Sequence, residues 1–411
     1  MNVDSLDHAG RALIPHEGLL PMTPASAKRR AFLARFGAAS VCALIPGSLF
    51  AASRPSYGNL LILIELKGGN DGLNTVVPYA ASEYYTLRPR IAVPRDQALQ
   101  LDQATGLHPA LEPMMGLWQA RELAVVQGVG YPEPNLSHFR SIEIWETASS
   151  STEYLPDGWL SRTFARTPVP REFAADGVVV GGAALGPLAG AGTRAVALTN
   201  TEQFARQARL ANASGAPRPG ALSHILRVEA DIIQAAGHLG SDFTFQTEFP
   251  ATAFGNAART AMQVVAGRAG VAVIKLSLNG FDTHSAQPAV HARLLKDLAD
   301  GMVALRSALV ELGKWRSTLV MTYAEFGRRP RENQSNGTDH GTASANFIAG
   351  GGVRGGLYGQ PPALDRLDGN GNLPWAVDFR QLYATVLRTW WSTDPAGVLN
   401  GRFVPLDILR A

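Results

Sequence analysis

Acidic and histidine side chains stand in short polar stretches that directly follow apolar runs, an arrangement suited to holding a divalent cation. Asp282 and His284 are two residues apart in Gly280-Phe281-Asp282-Thr283-His284, and in extended backbone such a pair projects to the same side. A hard carboxylate beside an imidazole suits zinc, manganese or iron. The plainer reading is a helix cap followed by a surface histidine. Asp339 and His340 lie between glycines in Gly337-Thr338-Asp339-His340-Gly341, where Asp339 is either a ligand or the partner that orients His340. Glu325 closes an apolar run in Thr322-Tyr323-Ala324-Glu325-Phe326-Gly327-Arg328. Its charge is costly to bury there without a cation or an arginine, and Arg328 and Arg329 offer the second solution. Asp71 stands among Gly68, Gly69 and Gly72, which let the backbone turn sharply and approach a ligand, although Asn-Asp-Gly is also ordinary turn chemistry. The spacing of a dinucleotide loop is missing from this stretch.

Ser137 and His138 belong to Pro134-Asn135-Leu136-Ser137-His138-Phe139-Arg140, which reads as a loop entering a helix with Ser137 near its N-cap. A hydroxyl at a helix N-terminus sits in a positive field, and a neighbouring metal further favours its alkoxide. Arg140 has the planar fork that grips a phosphate or sulfate through two hydrogen bonds. No G-x-S-x-G elbow occurs, so an ordinary serine hydrolase is a poor fit. His138 is a further candidate metal ligand.

These residues need a scaffold that brings distant segments to one edge. Leu60–Leu66, Leu123–Gln127, Val271–Leu278, Thr318–Tyr323 and Asn346–Ala349 are short apolar, β-branched runs, each ending in polar or glycine-rich residues. They read as buried parallel strands. Helical periodicity fills the intervals, most clearly over Ala289–Leu312, and also over Pro109–Leu123 and Asp378–Trp391. Alternating strands and helices predict an α/β fold with a mostly parallel central sheet flanked by helices on both faces. Ligands of such sheets bind beyond the carboxyl ends of the strands, where the candidate residues fall. Residues 148–268 are less regular, with a helical stretch at Leu222–Leu239, and read as an insertion or cap within a domain of residues 53–411.

The 411 residues are 46% hydrophobic and 17% charged, a globular composition. Residues 1–52 carry five Lys/Arg against three Asp/Glu, which leaves 32 against 31 in the remainder. That balance predicts no nucleic-acid partner. The single cysteine, Cys42, lies in the N-terminal segment, so a metal site in the body must use carboxylates, imidazoles and neutral oxygens. Lys28-Arg29-Arg30-Ala31-Phe32-Leu33 before a modest apolar stretch resembles a twin-arginine export signal. The expectation is a segment 1–52 read by the twin-arginine export machinery, a periplasmic or secreted location, and no stable membrane span, because the apolar run is far short of about 20 residues.

The stretches IELKGGNDGLNTVVPY (64–79), GVGYPEPNLSHFRSIEIWET (128–147), NGFDTH (279–284), YAEFGR (323–328) and GTDHGTASANFIAGGGVRGGLYG (337–359) resemble a family of twin-arginine-exported bacterial proteins. It is known as domain of unknown function family 1501 and is placed among alkaline-phosphatase-like and sulfatase-like folds. The resemblance runs from about Asn59 to the C-terminus. It implies a metal-ligating role for Asp71, a nucleophilic one for Ser137, and ligand roles for Asp282, His284 and His340. Glu325-Phe326 falls where the wider superfamily has Asp-His, which leaves two arrangements: one metal, or an altered two-metal site that uses His138. The function so implied is hydrolysis of a small phosphate or sulfate ester by a serine nucleophile. One or two divalent metals would assist, zinc first, with manganese, magnesium, calcium or iron as alternatives. The competing expectation is a non-catalytic exported protein that binds a metal or ligand on the same fold.

Overall fold

A computed structural model describes residues 56–198, 243–267 and 270–410. The segment expected to direct export, with Cys42, and the helix expected at Leu222–Leu239 lie outside the described residues.

A nine-stranded sheet forms the centre. Its strands are β1 (Leu60–Lys67), β2 (Leu123–Gly130), β3 (Ala175–Val180), β4 (Ala195–Leu198), β5 (Val271–Asn279), β6 (Thr318–Tyr323), β7 (Ser344–Ala349), β8 (Gly356–Gly359) and β9 (Val377–Asp378). The order across it is β8-β2-β7-β6-β1-β5-β3-β4, with β9 also paired to β2. Every pairing is parallel except those of β7, which runs antiparallel to β2 and β6. The expected mostly parallel sheet is therefore present, with one correction: the run ending at Ala349 is reversed. Its residues are buried on both faces, so its apolar composition does not distinguish the two directions.

Alternation along β1 divides the core. Leu60, Ile62, Ile64 and Leu66 join one hydrophobic cluster with residues of helices Ala253–Ala266 and Gln287–Glu311. Leu61 and Leu63 join the other with residues of helices His138–Thr147, Trp159–Arg166 and Phe379–Ala384. Here these are called, in chain order, α1 (His138–Thr147), α2 (Trp159–Arg166), α3 (Ala253–Ala266), α4 (Gln287–Glu311) and α5 (Phe379–Ala384). Helices thus cover both faces of the sheet. Within the region read as an insertion or cap, the described residues contribute β3 and β4 to this sheet and α3 to its cover. None of the helices among the described residues is long and apolar enough to cross a membrane.

One buried polar group interrupts the second face. Glu65 of β1 accepts from Lys275 Nζ of β5 at 2.7 Å and from Ser277 Oγ at 3.0 Å, a diagonal pairing of neighbouring strands. Glu146 of α1 lies over this pair. Burial pushes its carboxyl up, and although Lys275 opposes the shift and Glu65 adds to it, the result is a rise from the ordinary 4.5 to about 7. A carboxyl raised on folding favours the folded state while protonated, and that contribution is lost as pH climbs through the folded value. The thermal midpoint is expected to fall between about pH 5 and pH 8 from this group, and Glu146→Gln to flatten that fall when melting is followed by circular dichroism.

Candidate metal centre

The carboxyl ends of β1, β2, β5 and β6, together with the entry to the reversed β7, share one edge of the sheet. The loops there carry His138, Asp282, His284, Glu325, Asp339 and His340. The approach of these loops depends on two glycines after β1. Gly68 has φ +117°, and a Cβ on it would stand 2.3 Å from the Asp282 nitrogen. Gly69 has φ +81°, and a Cβ there would meet the Phe326 ring at 2.4 Å. Neither position has space for a side chain.

Three imidazoles present their Nε2 atoms to one carboxylate. Asp282 Oδ1 is 3.0 Å from His284 Nε2 and 3.2 Å from His340 Nε2, and Asp282 Oδ2 is 3.5 Å from His138 Nε2. One ligand atom from each of His138, Asp282 and His340 falls in a group lying within 4.8 Å of one another. The opposite nitrogen of each ring faces an oxygen. His138 Nδ1 is 2.9 Å from Glu325 Oε1, His284 Nδ1 is 3.3 Å from Asp339 Oδ1, and His340 Nδ1 is 2.8 Å from the Leu136 carbonyl. An oxygen without a hydrogen can only accept, so each Nδ1 is the donor in its pair, and the second ring nitrogen is turned toward Asp282. His284 Nε2 and His340 Nε2 are only 3.0 Å apart. Two lone pairs facing each other beside a carboxylate repel unless a cation or an extra proton lies among them. Nδ1 held by a carboxylate or carbonyl while Nε2 points to a common centre is how proteins orient metal-ligating histidines.

Charge leads to the same conclusion. Glu325 is 2% exposed, and its Oε1 accepts from the Gly68 N–H at 2.9 Å as well as facing His138. Its Oε2 is buried without a hydrogen-bond partner. The arginine expected to neutralise it is engaged elsewhere. Arg328 donates to Asp282 Oδ1 at 2.5 Å and to the carbonyls of Gly68, Gly69, Phe281 and Thr338. Burial raises the Asp282 carboxyl, but the Arg328 hydrogen bond and charge, with His340 and His284, outweigh it and hold the group at about 2. Burial also depresses the His340 imidazole despite its bonds to Leu136 and Asp282, which preserves its lone pair. The residues fit a single divalent cation taken by His138, Asp282 and His340, with His284 beside Asp282 and His340, and Glu325 and Asp339 behind two of the rings. Imidazole-rich sets of this kind suit zinc or iron better than calcium, magnesium or manganese.

Not every expected residue reaches this centre. Asp71 is fully buried and caps the first turn of Gly72–Thr75 through the N–H groups of Leu73 and Asn74. Arg88 takes both its oxygens, at 2.6 and 3.0 Å, and Gln287 Nε2 donates to Oδ2 at 2.5 Å. Its lone pairs are spent within the protein, so the ligand role implied for it is withdrawn. Burial opposes ionisation of Asp71, yet Arg88 and Gln287 hold its carboxyl below the ordinary range. Arg140, expected to hold an anion, instead donates to the carbonyls of Ser150, Ser151 and Glu153 and lies 3.8 Å from the Tyr154 ring centre. Asp339 orients His284 rather than His340. Ser137 is the exposed N-cap of α1, and its side chain makes no capping bond. Phe326, already noted in the sequence beside Glu325, has its ring centre 4.9 Å from that of His138 and 4.4 Å from that of His340. Sequence reasoning missed Arg88 and Gln287. Nothing local marked Arg88, because Glu83 and Arg90 nearby are charged as well and lie at the surface.

The sequence matches the family described as "Protein of unknown function (DUF1501)" over residues 91–394. No curated protein matches it. Among solved structures it is similar to a phosphonate monoester hydrolase from Silicibacter pomeroyi, with a TM-score of 0.42 and 12% identity over 84% of this chain and 75% of that one. It is also similar to the alkaline phosphatase of the Antarctic bacterium TAB5, with a TM-score of 0.33 and 12% identity over 73% of this chain and 94% of that one. A phosphonate monoester hydrolase of Agrobacterium radiobacter gives a TM-score of 0.37 at 9% identity, over 84% and 78%.

Two substitutions separate the centre from its support. Glu325→Gln is expected to lower divalent-metal affinity about 10–100-fold by loosening His138, read by competition with a chromogenic chelator. Asp71→Asn leaves the Arg88 charge buried without its counter-ion, with an expected loss of about 3–5 kcal/mol of stability. Urea unfolding measures that loss, while the metal content of the folded protein stays as in the parent.

Proposed function

The chain belongs to the DUF1501 family of proteins of unknown function, and from that premise we propose that it is an exported, metal-dependent hydrolase of phosphate or sulfate esters. The observation that carries this reading is the convergence of three oriented imidazoles on Asp282, with the exposed Ser137 next in sequence to His138 at the start of α1. A divalent ion at this centre supplies Lewis acidity toward the ester and toward the attacking oxygen. Ser137 is the nucleophile in this scheme. Its Oγ forms a bond to phosphorus or sulfur, the ester bond to the alcohol breaks, and the serine proton leaves with that alcohol. Water then cleaves the seryl ester and restores the hydroxyl. The ten-residue helix α1 turns its positive end toward the oxygens of the ester, the part first assigned to Arg140. The Lys28-Arg29-Arg30 motif supports delivery to the periplasm or beyond by the twin-arginine machinery.

A second reading has its own support. Asp71 is neutralised by Arg88, and Phe326 stands against His138 and His340, which favours one ion over two. A one-ion centre also suits a non-catalytic protein that binds a metal or an anionic ligand. The deciding experiment starts with elemental analysis of protein recovered from the periplasm, followed by assays on aryl phosphates and aryl sulfates. Bound divalent metal and turnover that Ser137→Ala lowers about a thousandfold or more are expected. Turnover undiminished in Ser137→Ala would remove the nucleophile. Metal without turnover favours the binding reading, and protein free of divalent metal would overturn the centre itself.

A further inference from the structure

A second cavity, of about 370 Å³, opens on the face of the sheet that carries Ile62 and Ile64. Its floor is formed by Gln127 of β2 and Ala345 of β7, and its walls by Pro361, Pro362, Pro374 and Trp375. Strand alternation puts Gln127 on the same face as Leu123 and Val125, which belong to that core cluster. Gln127 is 4% exposed, yet among the described residues nothing hydrogen-bonds its side-chain amide. Its amide atoms are not among the side-chain atoms shut off from solvent, so with no protein partner they open onto the cavity that Gln127 lines. Trp375 is 40% exposed, and among the described residues no aromatic ring stacks on its indole. The one charged residue of the lining, Arg366, is 80% exposed on its side chain, so the floor itself is uncharged.

We propose that this cavity is a binding site for a neutral polyhydroxylated ring, a pyranose. The amide offers two donors and an acceptor, and a ligand must supply both complements. Neighbouring ring hydroxyls do so, because each both donates and accepts. The C–H face of a pyranose is apolar and slightly positive, matching the negative face of the Trp375 indole and the flat proline walls. A hydrocarbon ring would fill the space but leave the Gln127 amide desolvated and unpaired. An anionic ligand would find its counter-charge only at the solvent-exposed rim. The volume is that of a small-molecule site. The cavity wall at Ala343 is three residues from His340, so the two backbones are separated by no more than about 11 Å. The site stands independently of the ester-cleaving reading.

The test uses the full chain with methyl β-glucoside, methyl β-galactoside and methyl N-acetyl-β-glucosaminide, followed by saturation-transfer NMR and tryptophan fluorescence. Saturable binding of at least one glycoside is expected, weakened about tenfold or more by Gln127→Leu and by Trp375→Ala. Trp375 is half-exposed, so its variant remains folded, and an unchanged thermal midpoint verifies this. Glycoside binding that both variants retain would place the sugar elsewhere and overturn the proposal. Binding of adenosine or indole in preference to every glycoside would also overturn it, as would the absence of any binding. Hydrolytic activity does not enter the readout, so failure of this site and failure of the ester-cleaving reading remain distinct results.

Discussion

The arrangement of the loops that carry the histidine and carboxylate cluster depends on the guanidinium of Arg328. This side chain is fully buried, and its donors reach the carbonyls of Gly68 and Gly69 after β1, Phe281 after β5 and Thr338 before β7, as well as the carboxylate of Asp282. One rigid fork thereby sets the spacing of three loops that are far apart in the chain. A lysine, with a compact charge and no fixed donor plane, could not make the same set of contacts. Because Arg328 bonds Asp282 directly, the carboxylate stays ionised and its position is set before any cation arrives. Preorganisation of this kind lowers the cost of assembling a charged centre.

A second arginine performs an analogous task one layer deeper. Arg88 joins Asp71 to Asn74 and to the carbonyls of Arg329 and Pro330. The loop after β1 is thus tied to the loop after β6 from below, by Arg88, and at the level of the centre by Arg328. Arg88–Asp71 is a fully buried pair, and in the other tie Arg328 is buried while Asp282 is half-exposed, so each buried guanidinium would be costly if left alone. Their value lies in fixing loop geometry, since hydrophobic contacts among glycine-rich turns cannot do so.

Much of the scaffold is legible in the sequence because buried parallel strands are continuous apolar runs, and the polar residues that end them mark one edge. That logic located Asp282, His284, Glu325 and His340, which the structure brings together. It failed for Asp71 because a strand-end aspartate looks the same whether a metal or an arginine neutralises it, and Arg88 is 17 residues away. Arg140 was misread for a similar reason: a guanidinium beside a serine can equally bind an anion or staple a loop. The direction of β7 was hidden because a strand buried on both faces has no polarity in its composition. The pairings of Nδ1 with Glu325, Asp339 and Leu136 are long-range contacts that no local spacing encodes.

The number of cations follows from charge and space together. Asp282, Glu325 and Asp339 bring three negative charges to the centre and Arg328 returns one positive charge, while the three imidazoles add donor nitrogens. One divalent ion balances these charges. A second ion would need another carboxylate, yet Asp71 is neutralised by Arg88. Space also opposes it, since the Phe326 ring packs against His138 and His340. A phenyl ring at that point offers no donor atom and turns an apolar surface toward a hydrated ion. Phe326 therefore opposes a second ion twice, by supplying no ligand atom and by filling the space beside His138 and His340.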